Sequence, residues 1–210
     1  MDDYASDVLV LGIGNLLWAD EGFGVRCAEV LAEQYELPAT VRVMDGGTQG
    51  LYLLPYVQQA KRLIVFDAVD YGLEPGTVKL VDDDEVPRFM GAKKMSLHQT
   101  GFQEVIAAAV LTGQCPERML LIGVQPEELE DYGGSLRDVV KARIPECVEA
   151  VVARLGEWGY AATRRTPAGI PSGHATTDSC DAPLSMGAYE AGRPSHESAC
   201  RMGDERFLTG

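Results

Sequence analysis

The sequence has no cluster of basic residues and no apolar stretch long enough to cross a membrane. Eighteen lysines and arginines face 32 aspartates and glutamates, which gives a formal net charge of −14. Nucleic-acid binding is therefore not expected, because the chain offers no basic surface that neutralises phosphates. No apolar run approaches the ~20 residues of a spanning helix, so membrane insertion is not expected either. The acidic start, with Asp2 and Asp3, differs from a secretory signal and favours a cytoplasmic protein.

Cysteine and histidine are also scarce. The five cysteines form no CxxC pair and are odd in number, which favours reduced thiols. Two of the three histidines, His174 and His196, lie in residues 161–210, a stretch rich in Pro, Gly, Ser, Thr and Ala. Such a composition cannot bury enough apolar surface to offset the entropy of ordering, which predicts a disordered tail. His98 is then the only histidine of the predicted folded domain, residues 1–160.

Several catalytic sequence motifs are missing as well. The chain contains no HExxH, no GxSxG and no Walker A lysine. The run from Gly12 to Leu17 has a leucine where the dinucleotide-binding fingerprint has its third glycine. Asp45, after the predicted second strand, stands where an acid that binds a ribose is found in such proteins. A nucleotide-binding enzyme therefore stays open as an alternative, with binding expected near Gly14 and Asp45.

What the chain does contain is an alternation of apolar strands and amphipathic helices. Residues 8–11, 41–44 and 62–66 are short apolar runs typical of strands buried on both faces. Helical spacing follows the first two runs, with Asp20 and Thr48 placed to cap the helices. This alternation predicts an α/β fold: a single three-layer domain with a mostly parallel, twisted sheet and helices on both faces.

The second half of the domain continues the pattern. Residues 76–81 alternate polar and apolar, which favours an edge or antiparallel strand, and residues 82–95 suit a surface loop. A helix is predicted over residues 96–111 and a buried strand over 119–124. A long amphipathic helix is predicted over residues 135–158, kinked or divided at Pro145.

Three residues with acid–base or metal-binding side chains are predicted to meet at one edge of this sheet. Glu21 follows the first strand, Asp67 ends the third, and His98 begins a helix after a loop. The carboxyl ends of parallel strands share an edge, and α/β proteins bind their ligands there. Two carboxylates and one imidazole suit a borderline divalent metal such as Zn²⁺ or Ni²⁺. Three protein ligands also leave a position open for water or a substrate group.

Each of the three also has an ordinary structural interpretation. A glutamate in the first turn of a helix interacts with the helix dipole, worth about 0.3–1 kcal/mol. Asp67 suits an Asx-turn after a strand, and His98 suits a hydrogen bond to the backbone at a helix start. Spacing alone does not decide between these interpretations and a functional site.

Five sequence blocks stand out in register: GIGNLL at residues 12–17, DEGFGVR at 20–26, DGGT at 45–48, DA at 67–68 and SLHQ at 96–99. Together, these blocks resemble the hydrogenase maturation endopeptidases. Residues 121–127 resemble a late strand-and-loop block of the same family. The resemblance covers roughly residues 7–160, and the tail after Ala161 extends beyond the usual family pattern.

The resemblance implies a function that the residues alone do not establish. It implies an endopeptidase that removes the C-terminal extension of the nickel–iron hydrogenase large-subunit precursor after nickel insertion. It implies that Glu21, Asp67 and His98 bind the metal, and that Asp45 has a role in catalysis or recognition. The implied metal is nickel carried by the precursor, with another divalent metal as the alternative in its absence. The implied partner is that precursor, and the acidic surface leaves a monomer or a weak dimer open.

A different class of protein fits the same features. An escort protein would hold the hydrogenase subunit and sense its metal without cleaving it. A peptidase predicts a shortened precursor, whereas an escort predicts a stable complex and no cleavage.

Overall fold

The structure, a computed structural model, describes residues 4–83, 85–90, 97–165 and 186. Of residues 88–90 and 97–100 it describes the backbone. The central sheet has five strands, in the order β3 (Val41–Gly47), β1 (Ser6–Ile13), β4 (Ala60–Ala68), β6 (Arg118–Val124) and β5 (Val78–Asp82). This arrangement confirms the predicted α/β fold with a mostly parallel sheet.

Four parallel strands form the body of the sheet, and an antiparallel strand forms one edge. Apolar residues are register partners in the parallel strands: Val10 of β1, for example, pairs with Val43 of β3 on one side and with Ile64 of β4 on the other. The edge strand pairs antiparallel with its neighbour, which confirms the prediction for residues 76–81.

Helices cover both faces of the sheet and divide the core in two. On one face lie α1 (Phe23–Gln34) and α6 (Ile144–Glu157), packed against side chains such as Val10, Ile64 and Ile122. On the other face lie α2 (Leu54–Gln59), α3 (Glu85–Met90) and α4 (Leu97–Leu111). Because side chains alternate along a strand, each strand residue belongs to one of these two faces.

Several local predictions are corrected. Residues 85–90 form α3 where a loop was expected, and α2 is preceded by a short 3₁₀ helix, Gly50–Leu53, that lacks a side-chain cap from Thr48. Leu53 and Val57 are the buried residues of this segment, whereas Leu51 is exposed. The helix predicted over residues 135–158 is divided as expected, into α5 (Asp138–Lys141) and α6, with Pro145 in the first turn of α6.

The structure describes a short strand a few residues past the predicted domain end at residue 160. β2 (Tyr35–Glu36) and β7 (Thr163–Arg164) form a small antiparallel pair, and the Arg165 backbone N–H donates to the Gln34 carbonyl. Met186 packs against the core that α1 and α6 cover. The rest of the predicted tail, with His174 and His196, lies outside the described residues.

The structure also bears on two expectations from composition, those for membrane spans and for cysteines. Over residues 4–83, 85–90 and 97–165, no helix has both the length and the apolar character of a membrane span. Three cysteines of the described part, Cys27, Cys115 and Cys147, are free thiols, as expected. Burial raises the pKa of all three, in Cys147 to about 12, so none is primed as a thiolate nucleophile.

Candidate active site at the carboxyl edge of the sheet

The loop after β1 is folded tightly onto itself before α1 begins. The backbone N–H of Asn15 donates to the Glu21 carbonyl at 3.1 Å, and the Glu21 N–H donates to the Trp18 carbonyl at 2.8 Å. Gly14 has φ +135°, and a Cβ there would lie 1.7 Å from the Glu21 carbonyl oxygen. The loop therefore requires glycine at this position and holds the backbone of Glu21 against the end of β1.

The start of α1 is pressed into the groove between β1 and β4. A Cβ on Gly24 would lie 2.2 Å from the Ile13 carbonyl oxygen and 2.3 Å from that of Phe66. A Cβ on Gly12 would lie 2.4 Å from the Gly24 carbonyl oxygen. The glycines that resemble part of a dinucleotide fingerprint therefore have a packing role here.

Asp20 does not cap α1, contrary to the prediction. Residues Ala19–Gly22 form a short 3₁₀ helix, and the residue before α1 is Gly22, with no side-chain cap. The fully buried Asp20 carboxylate instead accepts three backbone N–H groups, from Glu127 at 2.8 Å, Glu128 at 2.9 Å and Arg137 at 2.7 Å. Asp20 thus clamps the segment that carries Glu21 to the loop that follows β6.

Glu21 and Asp67 are brought together, as predicted. Both are buried, with Glu21 9% and Asp67 3% exposed. Burial raises the pKa of the Asp67 carboxyl group well above its usual value, and the nearby Glu21 charge raises it further, against the opposing effect of the Ala68 N–H. The Asp67 Oδ2 atom has no hydrogen-bond partner within the described part of the chain. Two neighbouring buried carboxyl groups with such an atom form a site suited to a cation or a proton.

Asp45 lies farther from this pair. It is part of β3 and pairs with Gly12 of β1, and the other partner of Gly12 is Phe66 of β4. Strand β1 therefore stands between Asp45 and Asp67. Asp45 belongs to the same edge of the sheet, with one strand between it and Asp67.

The backbone of His98 lies at the same edge, whereas its side chain is outside the described residues. His98 is the second residue of α4, and α4 packs Phe102 and Val105 into the core on the face of β4 to which Asp67 belongs. A Cβ on Gly101 would lie 3.5 Å from the Cα of Gly50, which follows the carboxyl end of β3. Among the side chains that the structure describes, no group of three potential metal ligands is found.

Two further side chains beside Asp67 were not singled out from the sequence. Tyr71 is 7% exposed, and burial together with the Asp67 charge raises the pKa of its phenol. Gln125, 6% exposed, accepts the backbone N–H of Tyr71 at 2.7 Å. Their position after β4 and β6 was the available signal, but many loop residues share that position.

Several known proteins are similar to this chain in sequence and in structure. The family model described as hydrogenase maturation protease, HycI, matches residues 25–154. The hydrogenase expression/formation protein HoxM of Azotobacter vinelandii is 60% identical over 204 residues, which cover 97% of this chain and 95% of that protein. The hydrogenase 2 maturation protease of Escherichia coli is 42% identical over 159 residues, which cover 75% of this chain and 96% of that protein.

The comparison of structures agrees. The hydrogenase maturating endopeptidase HybD from E. coli matches with a TM-score of 0.71 and 41% identity, over 75% of this chain and 97% of that chain. A hydrogenase 2 maturation peptidase from a Thaumarchaeota archaeon matches with a TM-score of 0.55 and 29% identity, over 72% of this chain and 99% of that chain.

The extent of these matches corrects one expectation about residues 161–210. The E. coli protease leaves the tail unmatched, in line with a tail beyond the family pattern. The Azotobacter relative and the hydrogenase expression/formation protein HupD of Rhodobacter capsulatus, at 60% identity over 96% of this chain, match into it. On sequence and fold together, the chain belongs to the hydrogenase maturation protease family and is an endopeptidase.

Proposed function

We propose that this endopeptidase removes the C-terminal extension of the nickel–iron hydrogenase large-subunit precursor once nickel is in place. The observation that carries the proposal is the buried Glu21–Asp67 pair at the carboxyl edge of the sheet. Family membership makes the large-subunit precursor the expected substrate. The cytoplasmic location and the monomeric or weakly dimeric state expected from the sequence stay predictions.

The residues present fit a divalent metal. Asp67 has an oxygen atom that is buried and makes no hydrogen bond within the described part of the chain, and Glu21 places a second negative charge beside it. Glu21, Asp67 and His98 would hold the metal, with nickel arriving as part of the substrate and another divalent ion as the alternative without substrate. Such a metal would polarise the carbonyl group of the scissile peptide.

The carboxyl groups also suit the proton transfers of peptide hydrolysis. The oxygen of a water molecule adds to the carbonyl carbon, and the carbonyl electron pair moves onto its oxygen. A carboxylate of the Glu21–Asp67 pair accepts the proton that leaves the water. The same proton then passes to the amide nitrogen as the carbon–nitrogen bond breaks, which releases the extension and leaves a new carboxyl terminus.

Cleavage of two forms of one precursor tests the proposal. Purified protein is incubated with the nickel-loaded precursor and, separately, with the nickel-free precursor, and intact masses are measured. We expect the extension to be lost from the nickel-loaded form alone. Cleavage of both forms would contradict the nickel requirement. No cleavage of either form, with the proteins co-eluting, would identify an escort protein instead.

A further inference from the structure

The space beside Asp67 on the sheet is occupied by the hydroxyl group of Tyr71. Gly123 of β6 is the register partner of Asp67 in β4, and a Cβ on Gly123 would lie 1.9 Å from the Tyr71 hydroxyl oxygen. Register partners in neighbouring strands project to the same face of a sheet. The hydroxyl therefore lies on the Asp67 face, about one strand spacing, ~5 Å, from the Asp67 Cβ.

The loop that carries Tyr71 is held in place by one buried amide. Gln125 Oε1 accepts the backbone N–H of Tyr71 at 2.7 Å and that of Leu73 at 3.1 Å. Gln125 Nε2 donates to Asp70 Oδ1 at 3.0 Å and to the Pro126 carbonyl at 3.2 Å. Because both ends of the amide are engaged, the backbone on either side of the tyrosine has little freedom to move.

The ring of Tyr71 also makes a cation–π contact with a lysine of the neighbouring edge strand. Lys79 of β5 is the register partner of Gly123, and its Nζ lies 5.0 Å from the centre of the Tyr71 ring. Asp67, the hydroxyl of Tyr71 over Gly123, and Lys79 therefore follow one another across three adjacent strands. The hydroxyl of Tyr71 thus lies over the strand next to β4, and its ring contacts the Lys79 ammonium group.

We propose that Tyr71 is a catalytic residue whose hydroxyl donates a hydrogen bond to the carbonyl oxygen of the scissile peptide. This inference rests on the proposed function. The Asp67 Oδ2 atom and the Tyr71 hydroxyl oxygen are both buried, so the scissile carbonyl has to enter between them when the substrate binds. When water adds to the carbonyl carbon, negative charge develops on that oxygen, and a fixed donor in a buried site stabilises it. The phenol keeps its proton throughout, so the proton balance of the hydrolysis is unchanged.

Tyr71→Phe tests the proposal, because phenylalanine keeps the ring that contacts Lys79 and removes the hydroxyl. With the nickel-loaded precursor we expect kcat to fall about 10²-fold, the usual consequence of removing one such donor, while KM changes less than about threefold. Tyr35→Phe is the matched control, since Tyr35 is a buried tyrosine whose hydroxyl donates to Glu149 at 2.6 Å, beyond the C-terminal end of α1. We expect it to leave kcat unchanged.

A kcat for Tyr71→Phe within threefold of the wild-type value would overturn the proposal, while cleavage of the precursor by the wild-type protein would still support the proposed function. Failure of the wild-type protein to cleave the nickel-loaded precursor would contradict the proposed function itself. A loss confined to thermal stability would assign Tyr71 a structural role and likewise overturn the proposal.

Gly123→Ala supplies a second test that does not alter the tyrosine. Its Cβ displaces the hydroxyl, so we expect a loss of kcat similar to that of Tyr71→Phe. In the double variant the two losses should not add, because both act on the same hydroxyl. Fully additive losses would show that Gly123 acts independently of Tyr71 and would contradict the proposal.

Discussion

Burial raises the pKa of the Asp67 carboxyl group, and the charge of Glu21 raises it further, although the two residues lie on different elements of the sheet edge. The 3₁₀ helix after β1 presents one carboxyl group, and the end of β4 presents the other. Their proximity makes the folded protein less tolerant of two negative charges than the unfolded chain. A bound cation or proton therefore stabilises this site, because it offsets the repulsion between the two carboxylates.

This relationship predicts a dependence of stability on pH in the metal-free protein. The Asp67 pKa is higher in the folded than in the unfolded state, so between those values the folded state binds more protons, and stability falls as pH rises through this window. Asp67→Asn removes the effect. We expect the variant to unfold at a higher temperature than wild type at pH 8, by about 2–4 °C for each kcal/mol gained. The difference should shrink toward pH 4, and a variant less stable than wild type at pH 8 would contradict the prediction.

Removal of any one proposed metal ligand should abolish processing. We expect Glu21→Gln, Asp67→Asn and His98→Ala to remain folded, because none removes apolar volume from the core, and to lose cleavage of the nickel-loaded precursor by at least about 10²-fold. Intact mass measures cleavage, and circular dichroism measures folding. Glu36→Gln, at an exposed position on β2, is the control and should cleave normally. Normal cleavage by all three ligand variants would contradict the metal site.

The Asp20 clamp predicts a linked loss of stability and activity. Asp20→Ala leaves the backbone N–H groups of Glu127, Glu128 and Arg137 without their acceptor, which we expect to destabilise the protein by about 2–4 kcal/mol in urea unfolding. Amide exchange should accelerate in residues 127–137. Asp20→Asn keeps one acceptor oxygen and should be less severe. Equal stability of Asp20→Ala and wild type would show that the clamp does not hold.

Replacement by alanine should have opposite effects on stability at two helical glycines, one packed against the sheet and one with open space around it. Gly24→Ala places a methyl group against the carbonyl oxygens of Ile13 and Phe66, so we expect a loss of about 1–3 kcal/mol or more in urea unfolding. Gly156→Ala, in α6, meets no atom within 4 Å and should stabilise the protein by up to about 1 kcal/mol. A neutral Gly24→Ala would contradict the close approach of α1 to the sheet.

The apolar runs were sufficient to predict the strands and their common edge. Val8 to Leu11 is uniformly apolar, as is typical of a strand covered on both faces, and the intervening helices favour parallel strands. Once the strands are parallel, Glu21 and Asp67 must follow their carboxyl ends. Their arrival at one edge of the sheet was therefore predictable from local pattern and topology.

Other features depend on contacts between segments far apart in the chain. Asp20 has the local position of a helix cap, yet its oxygens accept hydrogen bonds from backbone N–H groups of the loop after β6. These buried N–H groups require an acceptor, whereas the start of α1 at Gly22 has no side-chain cap. The separation of Asp45 from Asp67 follows from strand order. The position of the Tyr71 hydroxyl follows from the absence of a side chain at Gly123. The sequence by itself determined which residues reach the edge of the sheet. Only the tertiary structure decided which of them touch, because lateral strand order and loop packing are set by long-range contacts.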